Sequence, residues 1–483
     1  MFRWHRFSWS RGIKTQLSIS ILGVLVSLTV LAKPVDIQIL QINDVYEIGP
    51  SQGGKTGGLA RVALLRKALL KRNPRTFTVL AGDFLSPSAL GIAPVNQVPL
   101  AGRQMVSVLN TIGLDLAIFG NHEFDLKPEE LSQRIQEAQF KWISGNLRDV
   151  EGNLFGGLPE SYVHVFEGDG GEKVRVGFIA LTIDTNKKDH VRYLDVVESA
   201  REQVKRLKPK VDVLVAMTHL PLEKDRVVAK QVPGIDLILG GHEHDHILVR
   251  ENGVRIAKAD ANAKSAFIHI LRFDPEKQKL KIKSLLKNID DRIPEDRKTK
   301  KVVQKWTERA YQAFREAGFE PTRVVGKATR PLDGSEASVR SKTTAMTELV
   351  GRSMMNESHK ARFALYNGSS IRIDDVIQPG PITEYDVIRM LPFGGALFSA
   401  QMTGKEILAL LEENVGKRGK GTFLQIIPKS KVDLERLDPN EVYSVSVNDL
   451  FSKMHAESIV PGSLTLTSKD VRASLIKYLK ERK

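Results

Sequence analysis

Five short polar motifs, each at the end of an apolar run, constrain the fold of this chain more than any other feature of its sequence. The apolar runs have the length and composition of buried strands. In open α/β sheets the carboxyl ends of the strands meet at one rim, where ligands bind. We therefore expect the five motifs to meet at one site. In chain order they are Asn43-Asp44-Val45-Tyr46, Gly82-Asp83, Gly120-Asn121-His122-Glu123, His219 and Gly241-His242-Glu243-His244.

From residue 35 to about residue 274, short apolar strands alternate with amphipathic helices, which predicts an α/β domain two or three layers thick. Continuously apolar runs such as 213–217 are typical of a sheet that is covered on both faces. The expected strands are 35–42, 76–81, 116–119, 174–183, 211–217 and 235–239, and the expected helices are 58–71, 102–112, 127–138 and 196–207.

The chain changes character after this first domain, which we place at 35–275. A charged break at 290–298 and a helical stretch to about Gly318 predict a linker with a helix over 276–320. A second α/β pattern then predicts another domain over 321–483. Its expected elements are strands near 363–366 and 443–447 and helices over 404–415 and 468–482.

The N-terminal 33 residues are expected to lie outside the fold. Basic residues precede an uncharged stretch over 15–32, and Val30-Leu31-Ala32 is an acceptable signal-peptidase site. We predict a cleaved secretory signal. The alternative is a retained membrane anchor, for which 15–32 is just long enough. Either alternative makes the protein secreted or periplasmic, or membrane-anchored and facing outward.

Composition limits the chemistry. The chain has no cysteine, so any metal must be held by oxygen and nitrogen ligands. The formal net charge of +15 favours anionic partners such as phosphate esters, although a solvated basic surface accounts for it equally. Without an RNA-binding motif or a compact Lys/Arg tract, we expect no specific nucleic-acid polymer as partner.

The residue types in the five motifs suit a pair of metal ions. Two cations about 3.5–4 Å apart require a bridging carboxylate and mixed nitrogen and oxygen ligands, and together they activate a water for attack on phosphorus. Asp125 lies three residues beyond His122 and could accept its ring N–H. His122 would then act as an electrostatic stabiliser or general acid at the leaving oxygen.

The order of the motifs resembles that of the calcineurin-like metallophosphoesterases. Over about 35–450 the chain resembles the secreted 5′-nucleotidase and sugar-nucleotide hydrolase family. The resemblance implies a β-sandwich flanked by helices, a linker helix, and a smaller α/β (α+β) substrate-binding domain. The C-terminal motifs that carry it are Asn367-Gly368-Ser369-Ser370-Ile371-Arg372, Leu391-Pro392-Phe393-Gly394, Met402-Thr403-Gly404, Gly421-Thr422-Phe423-Leu424-Gln425 and Asn448-Asp449.

The same resemblance implies a role for each matching residue. His122 and Asp125 would form the catalytic pair, and Arg372 would contact the substrate. Asn367 would bind a nucleobase and Phe423 would stack on it. The first metal would be held by Asp44, Tyr46, Asp83 and His244, and the second by Asp83, Asn121, His219 and His242, with Asp83 bridging the two.

The sequence departs from the family pattern at Tyr46, which stands where the family has a histidine. A phenolate is a harder, anionic ligand and would favour iron(III) beside a divalent ion. Alternatively Tyr46 does not bind, and the first site is weak or absent. We expect the site to be retained, with two metals per chain. They would be divalent ions of the manganese, zinc, magnesium or calcium type, or include iron(III) if Tyr46 is a ligand.

A second departure lies at the nucleobase subsite. The family has a Gly-Gly-Asp-Gly-Tyr segment that carries a second stacking aromatic. Here Asn448-Asp449-Leu450-Phe451 runs on to His455 without it. Phe451 could substitute, but its spacing differs. Among the histidines outside the motifs, His246 is interpreted as a solvated loop residue, and His359 and His455 are interpreted as structural.

Three functions remain open on these residues. The first is a dinuclear-metal phosphoesterase for small phosphate esters, with nucleotides as the leading class. The second is a phosphatase for a non-nucleotide metabolite such as a sugar phosphate, favoured by the missing aromatic segment. The third is a non-catalytic surface-binding protein on a degenerate fold, supported by Tyr46. We expect a monomer whose linker helix acts as a hinge between the domains.

Overall fold

The computed structural model describes residues 33–482, so the expected secretory signal or anchor lies outside the described residues except for Lys33. Within 33–482, no helix is both long and apolar enough to cross a bilayer.

The N-terminal domain contains twelve strands in two sheets. They are β1 (Val35–Ile42), β2 (Thr76–Ala81), β3 (Leu116–Ile118), β4 (Lys141–Ile143), β5 (Ser161–Glu167), β6 (Lys173–Thr182), β7 (Val213–His219), β8 (Leu237–Gly240), β9 (Ile247–Glu251), β10 (Val254–Lys258), β11 (Ser265–Asp274) and β12 (Lys279–Asn288).

The two sheets each have six strands and pack face to face. Their strand orders are β12-β11-β1-β2-β3-β4 and β5-β6-β7-β8-β10-β9. Apolar side chains from both sheets, such as Ile39 and Val79 from one and Phe178 and Val215 from the other, form a shared buried core. The β-sandwich that the family resemblance implied is therefore confirmed.

Helices cover the outer face of each sheet. The first sheet packs on α1 (Leu59–Arg72) and α2 (Arg103–Ile112), and α3 (Pro128–Glu137) lies beside α2. The second sheet packs on α4 (Val196–Leu207) and α5 (Leu222–Gln231). The domain thus has four layers, and the expectation of two or three was wrong. The apolar pattern shows that a strand is buried on both faces, but a second sheet and a helix layer bury it equally well.

Parallel pairing brings the ends of the central strands to one rim. In the first sheet Ala81 of β2 pairs with Ile118 of β3, and in the second sheet Thr218 of β7 pairs with Gly240 of β8. The strand β7 runs two residues further than expected and includes His219 itself. The polar residues that follow or end these strands therefore lie at the same edge of the sandwich.

The linker helix is α6 (Arg297–Glu316), and it packs against the first domain rather than standing free. Its apolar face, with Trp306, Ala310 and Phe314, joins the core beneath α1 and α2. The Asp296 side chain caps the helix by accepting a hydrogen bond from the Thr299 N–H.

The C-terminal domain is a five-stranded sheet between helices. Its helices are α7 (Ala345–Glu357), α8 (Glu384–Met390), α9 (Gly404–Val415), α10 (Asp449–Met454) and α11 (Val471–Glu481). α7, α8 and α11 contribute to one core, and α9 and α10 to the other. The strands are β13 (Phe363–Asn367), β14 (Leu397–Thr403), β15 (Leu424–Pro428), β16 (Val442–Asn448) and β17 (Thr465–Ser468), in the order β15-β13-β16-β14-β17.

Shorter elements complete the described chain. Two short α-helices lie at Glu336–Val339 and Lys431–Glu435. Two-stranded ladders pair Pro50–Ser51 with Thr56–Gly57, Pro94–Val95 with Val98–Pro99, Leu147–Arg148 with Arg192–Tyr193, Val324–Ala328 with Gly380–Thr383, and Leu332–Asp333 with Val376–Ile377.

Candidate metal centre

Two aspartates at the strand ends owe their position to an uncommon backbone conformation. Asp44 and Asp83 have φ of 51° and 56°, in the left-handed region that short polar side chains tolerate. Gly120 makes room for one of them, because a Cβ there would lie 2.1 Å from Asp83 Oδ1. Both carboxylates are buried and turn toward the same point at the rim.

Asp44, Asp83 and His219 form the core of the centre. One ligand atom from each lies within 4.8 Å of the others, and all three residues are buried. His219 Nε2 lies 3.1 Å from Asp83 Oδ2 and 3.9 Å from Asp44 Oδ1. Such an arrangement of two carboxylates and an imidazole is a common donor set for a transition metal.

A buried acceptor without a hydrogen-bond partner tests whether the residues fit a cation. Asn121 Oδ1 makes no hydrogen bond. The His219 Nδ1–H donates to the Ala81 carbonyl at 2.9 Å. Burial acts to lower the pKa of His219, but Asp83 and Asp44 outweigh it and raise that pKa to about 9, so Nε2 holds a proton toward Asp83. Unpaired buried polar atoms are costly, and a bound cation would satisfy Asn121 Oδ1 and replace that proton. The donors therefore fit a metal.

Tyr46 reaches the other side of the centre. Its hydroxyl lies 3.1 Å from His244 Nε2, 3.3 Å from Asp83 Oδ2 and 3.5 Å from Asp44 Oδ1. The phenol thus lies among all three other residues that the family resemblance assigned to the first metal. Tyr46 itself is only 4% exposed.

His242 lies beside Asp44 and His219. Its backbone N–H donates to Asp44 Oδ2 at 3.0 Å, and its ring centroid is 5.4 Å from that of His219. Its φ of 84° is unusual for a residue with a Cβ. The strained backbone turns this histidine back toward the rim.

Burial and mutual repulsion set the charge states of the carboxyl groups. Burial raises the pKa of Asp44 to about 6, although His219 and His244 act in the opposite direction. Burial also acts to raise the pKa of Asp83, but His219 and His122 outweigh it and hold that pKa below its usual value. Asp83 is thus the more strongly ionised of the two, as a bridging ligand requires.

Glu123 is a buried carboxylate that we did not anticipate as part of the site. It accepts hydrogen bonds from the backbone N–H groups of Asp83, Phe84, Leu85 and Gly120. Burial, and then the charge of Asp83, raise the pKa of Glu123 to about 7. Glu123 ties the loop after β2 to the loop after β3, and its place beside Asn121 and His122 was the only sequence signal for this role.

His122 and Asp125 form the expected pair. The His122 Nδ1–H donates to Asp125 Oδ2 at 2.7 Å, and the other Asp125 oxygen accepts from the Asn186 amide at 2.5 Å. Burial acts to raise the pKa of Asp125, but its bonds to His122 outweigh this and lower it. Asn186, which sequence reasoning missed, holds the carboxylate in place.

The C-terminal domain closes over the centre. Arg372 Nη2 donates to His122 Nε2 at 2.8 Å, so the imidazole carries its proton on Nδ1. Asp374 Oδ2 lies 3.1 Å from His244 Nδ1, and the Lys264 ammonium donates to the Asp374 carbonyl at 2.8 Å. Arg372 was expected at the site; Asp374 was not, although it lies only two residues further along the chain.

The residues assigned to a nucleobase form a second group in the C-terminal domain. The Gly368 N–H donates to the Phe423 carbonyl at 2.8 Å, which places Phe423 beside Asn367. Both side chains are buried, at 7% and 1% exposure. Asn367 Oδ1 has no hydrogen-bond partner.

Phe451 does not take the place of the missing aromatic segment. Its side chain is fully buried in the core beneath α9 and α10. Its ring packs against His455, with the centroids 4.8 Å apart. Phe451 therefore presents no face to a ligand, and His455 has the structural role we expected.

His246, with 55% of its side chain exposed, bonds to Asp260, as a solvated loop histidine would.

Comparisons with known proteins cover most of the chain. The family model of the calcineurin-like phosphoesterases matches residues 37–246, and that of the 5′-nucleotidase C-terminal domain matches residues 324–458. A solved structure, a 5′-nucleotidase precursor from Thermus thermophilus, has 26% identity and a TM-score of 0.76 over 93% of this chain and 97% of that one.

Two curated relatives show the same similarity at the level of sequence. The trifunctional nucleotide phosphoesterase YfkN of Bacillus subtilis is 29% identical over 67% of this chain, which spans only 25% of that longer protein. The 5′-nucleotidase of Bos taurus is 25% identical over 82% of this chain and 75% of its own length.

Proposed function

This chain belongs to the family in which a calcineurin-like phosphoesterase domain precedes a 5′-nucleotidase C-terminal domain, and on this premise we propose that it hydrolyses small phosphate esters at a centre of two metal ions. Family membership makes it a metal-dependent phosphoesterase and therefore a hydrolase. Nucleotides are the leading substrate class, since both relatives and the solved structure are named for nucleotide hydrolysis.

One observation carries the proposal. Asn121 Oδ1 is buried without a hydrogen-bond partner at the same rim as the cluster of Asp44, Asp83 and His219. A protein that used these residues only for structure would pair that oxygen with a donor. A cation would satisfy the amide oxygen and the two carboxylates together.

The two metal positions would share Asp83. When bound, the ions would supply Lewis-acid polarisation of the substrate phosphate. If the Tyr46 phenol is a ligand, we propose iron(III) with a divalent ion, and otherwise two divalent ions. The first position would use Asp44, Tyr46, Asp83 and His244, and the second Asp83, Asn121, His219 and His242.

His122, Asp125 and Arg372 act on the substrate side. The Arg372 guanidinium would leave His122 and bind the phosphate, for which its planar donors are suited. His122 Nε2 is then free to face the leaving oxygen. The Asp125 carboxylate holds the Nδ1 proton and stabilises the imidazolium, which can donate from Nε2.

A non-nucleotide phosphate ester is the second candidate substrate. The observation that favours it is the burial of Phe451, which leaves Phe423 without a partner ring across a base. A sugar phosphate needs no such ring. The metal centre and Arg372 would serve both classes equally.

We place the protein outside the cytoplasm as a monomer, either released after cleavage of its N-terminal segment or tethered through residues 15–32. The basis is the sequence of that segment, with its basic start and its Val30-Leu31-Ala32 site.

A substrate panel with metal control tests the proposal. Protein purified without added metal would be analysed for elements, stripped with a chelator and reloaded. We expect about two metals per chain, loss of AMP hydrolysis on stripping and recovery on reloading. The variant His122→Ala should keep its metals but lose rate by about 10²- to 10⁴-fold.

The matched control is His246→Ala, which removes an exposed histidine from the loop after β8 and should leave both metals and rate unchanged. Parallel assays with AMP, ribose 5-phosphate and glucose 6-phosphate separate the two substrate classes. Full activity in metal-free protein would refute the dinuclear mechanism.

A further inference from the structure

A buried lysine lies directly behind the metal centre. Lys258 is the last residue of β10, and its side chain has no solvent exposure. Its ammonium donates to the Leu220 carbonyl and to the Glu243 carboxylate, and it lies 2.8 Å from Asp225 Oδ2. None of the chemistry proposed above uses this group.

The contacts of Lys258 join two loops that carry expected metal ligands. Leu220 follows His219 at the end of β7. Glu243 stands between His242 and His244 in the loop after β8, and its other oxygen accepts the Leu222 N–H at 2.6 Å. A single ammonium and a single carboxylate thus connect the two loops.

The backbone is shaped to admit this lysine. Gly240 pairs with Lys258 across β8 and β10, and a Cβ at Gly240 would lie 2.8 Å from Lys258 Cε. Only glycine lets the lysine stem pass over β8 to the rim. Gly240 directly precedes Gly241, the first residue of the Gly241-His242-Glu243-His244 motif.

Stability alone is a weak reason for this arrangement. Burying an ammonium with carboxylates costs desolvation free energy that the pairing often only offsets, and an apolar side chain of the same volume would serve the core as well. What an apolar side chain would lack is directional bonds to Leu220 and Glu243. The ionic contacts hold both loops at a defined spacing.

We propose that Lys258 is a positioning residue of the metal centre, which through Glu243 and the Leu220 carbonyl sets the spacing of His219 from His242 and His244. The inference rests on the proposed function in one respect, namely that these histidines bind metal. It assigns Lys258 no contact with substrate.

Charge and geometry predict opposite effects of removing the lysine. An ammonium close to two cations repels them, so loss of its charge alone would strengthen metal binding. If Lys258 acts by position, its loss should weaken metal binding instead, because the loops lose their common anchor. Outer residues that orient ligands typically change metal affinity by about 10- to 100-fold.

The experiment measures manganese(II) binding to the metal-stripped full-length chain by titration, with thermal unfolding recorded in parallel. The variants are Lys258→Met, Glu243→Gln, and the two combined. We expect each single variant to bind manganese at least about tenfold more weakly than the wild type. The double variant should bind it little more weakly than either single variant, since both substitutions break the same Lys258–Glu243 contact.

Lys208→Met is the matched control. The Lys208 ammonium pairs with Asp236 Oδ2 at 2.8 Å, near the opposite ends of β7 and β8. Removing it should leave manganese affinity unchanged. If Lys258→Met fails to fold because Asp225 is left unpaired, Lys258→Met/Asp225→Asn removes that charge and takes its place in the titration.

The outcomes separate this inference from the proposed function. A wild-type chain that binds no manganese, or any other metal in the elemental analysis, refutes the proposed function. Wild-type binding combined with unchanged or tighter binding in Lys258→Met and Glu243→Gln overturns the positioning role alone. A lower melting temperature with unchanged manganese affinity does the same, since it shows a role in stability only.

Discussion

Among single residues, Tyr46 has the strongest bearing on which metals the centre can hold. Its hydroxyl lies within 3.5 Å of ligand atoms from Asp44, Asp83 and His244. An unligated phenol there is surrounded by acceptors, whereas an ionised phenolate is a strong ligand for a trivalent ion. The geometry therefore permits ligation without any rearrangement of the backbone.

We predict that iron(III)-loaded wild-type protein shows visible charge-transfer absorption, which gives a purple colour, and that Tyr46→Phe abolishes it. Tyr46→His should bind divalent ions, since it restores an imidazole donor, but remain colourless with iron. Absorption spectra at matched iron content provide the measurement. Colour that persists in Tyr46→Phe would show that this phenol is not a ligand.

The charge of neighbouring residues affects the pKa of a carboxyl group at this rim more than its residue type does. Asp83 and Glu123 are both buried carboxyl groups at this rim, yet the pKa of Asp83 is held low by His219 and His122 while that of Glu123 is raised to about 7 by burial and by Asp83. The sequence identifies both as acidic. Only their neighbours in space make one suited to bind a metal and the other an acceptor for backbone N–H groups.

Among the elements, the linker helix α6 is tied to the first domain at its N-terminus. Asp296 caps the helix and also pairs with the Lys67 ammonium of α1. Burial acts to raise the pKa of Asp296, but Lys67 and the Thr299 hydrogen bonds outweigh it and lower the pKa to about 2. The ionised form is therefore favoured in the folded protein.

Because this pKa is lower in the folded than in the unfolded chain, the ionised carboxylate stabilises the fold above about pH 4, and this contribution is lost as the pH falls toward about 2. We predict that Asp296→Asn lowers the free energy of unfolding by about 1 to 2 kcal/mol at pH 7. Urea unfolding of both proteins from pH 7 to pH 3 should show this difference narrowing below about pH 4. A difference independent of pH would contradict an ionic contribution.

The periodicity of apolar residues located the helices and strands with different accuracy. The strands β1 and β2 and the helices α4 and α9 have the bounds that the apolar patterns predicted. The other expected elements shift by one to three residues at an end, as at β7, where polar Thr218 and His219 continue the strand beyond the apolar run. Backbone pairing with β6 and β8 extends that strand, and pairing partners are not visible in local sequence.

At the scale of the whole molecule, the two domains meet at the metal centre. Arg372 reaches His122 across 250 residues of chain, and Asp374 reaches His244 across 130. Gln52 and Asp375 add a further hydrogen bond between the domains. In the proposed reaction the leaving group approaches His122 Nε2, which Arg372 occupies here, so the contact between Arg372 and His122 would have to open before substrate is positioned.

We predict that the domains change their relative position during the reaction cycle. Since the chain has no cysteine, introduced cysteines at the exposed positions Glu151 and Val432 can be labelled uniquely. Pulsed dipolar spectroscopy should show the label separation change when AMP is added to metal-loaded His122→Ala protein, which holds substrate without fast turnover. Arg372→Ala should shift the unliganded protein toward longer separations.

The control for this experiment is a label pair within the first domain, at Glu151 and Lys224, whose separation should remain constant. A single, unchanged separation between the domains in all states would contradict the hinge. A side-chain movement of Arg372 alone would then have to admit the substrate.

The sequence by itself determined the reaction class. The polar residues that suit a metal directly follow the apolar strands in the chain, so they can be recognised locally. Parallel strands then bring their carboxyl ends, and these residues, to one edge of the sheet. It also located most helices and strands, since hydrophobic periodicity is a local property. Motif-bearing residues such as Asp83, His122 and His219 are therefore identifiable from the order of the amino acids alone.

Only the tertiary structure decided the remaining features. Packing brought Asp374 to His244, and it buried both Phe451 and Lys258. Asp374 and His244, for example, stand 130 residues apart, and contacts of that kind arise from the packing of whole elements rather than from the residues beside them in the chain.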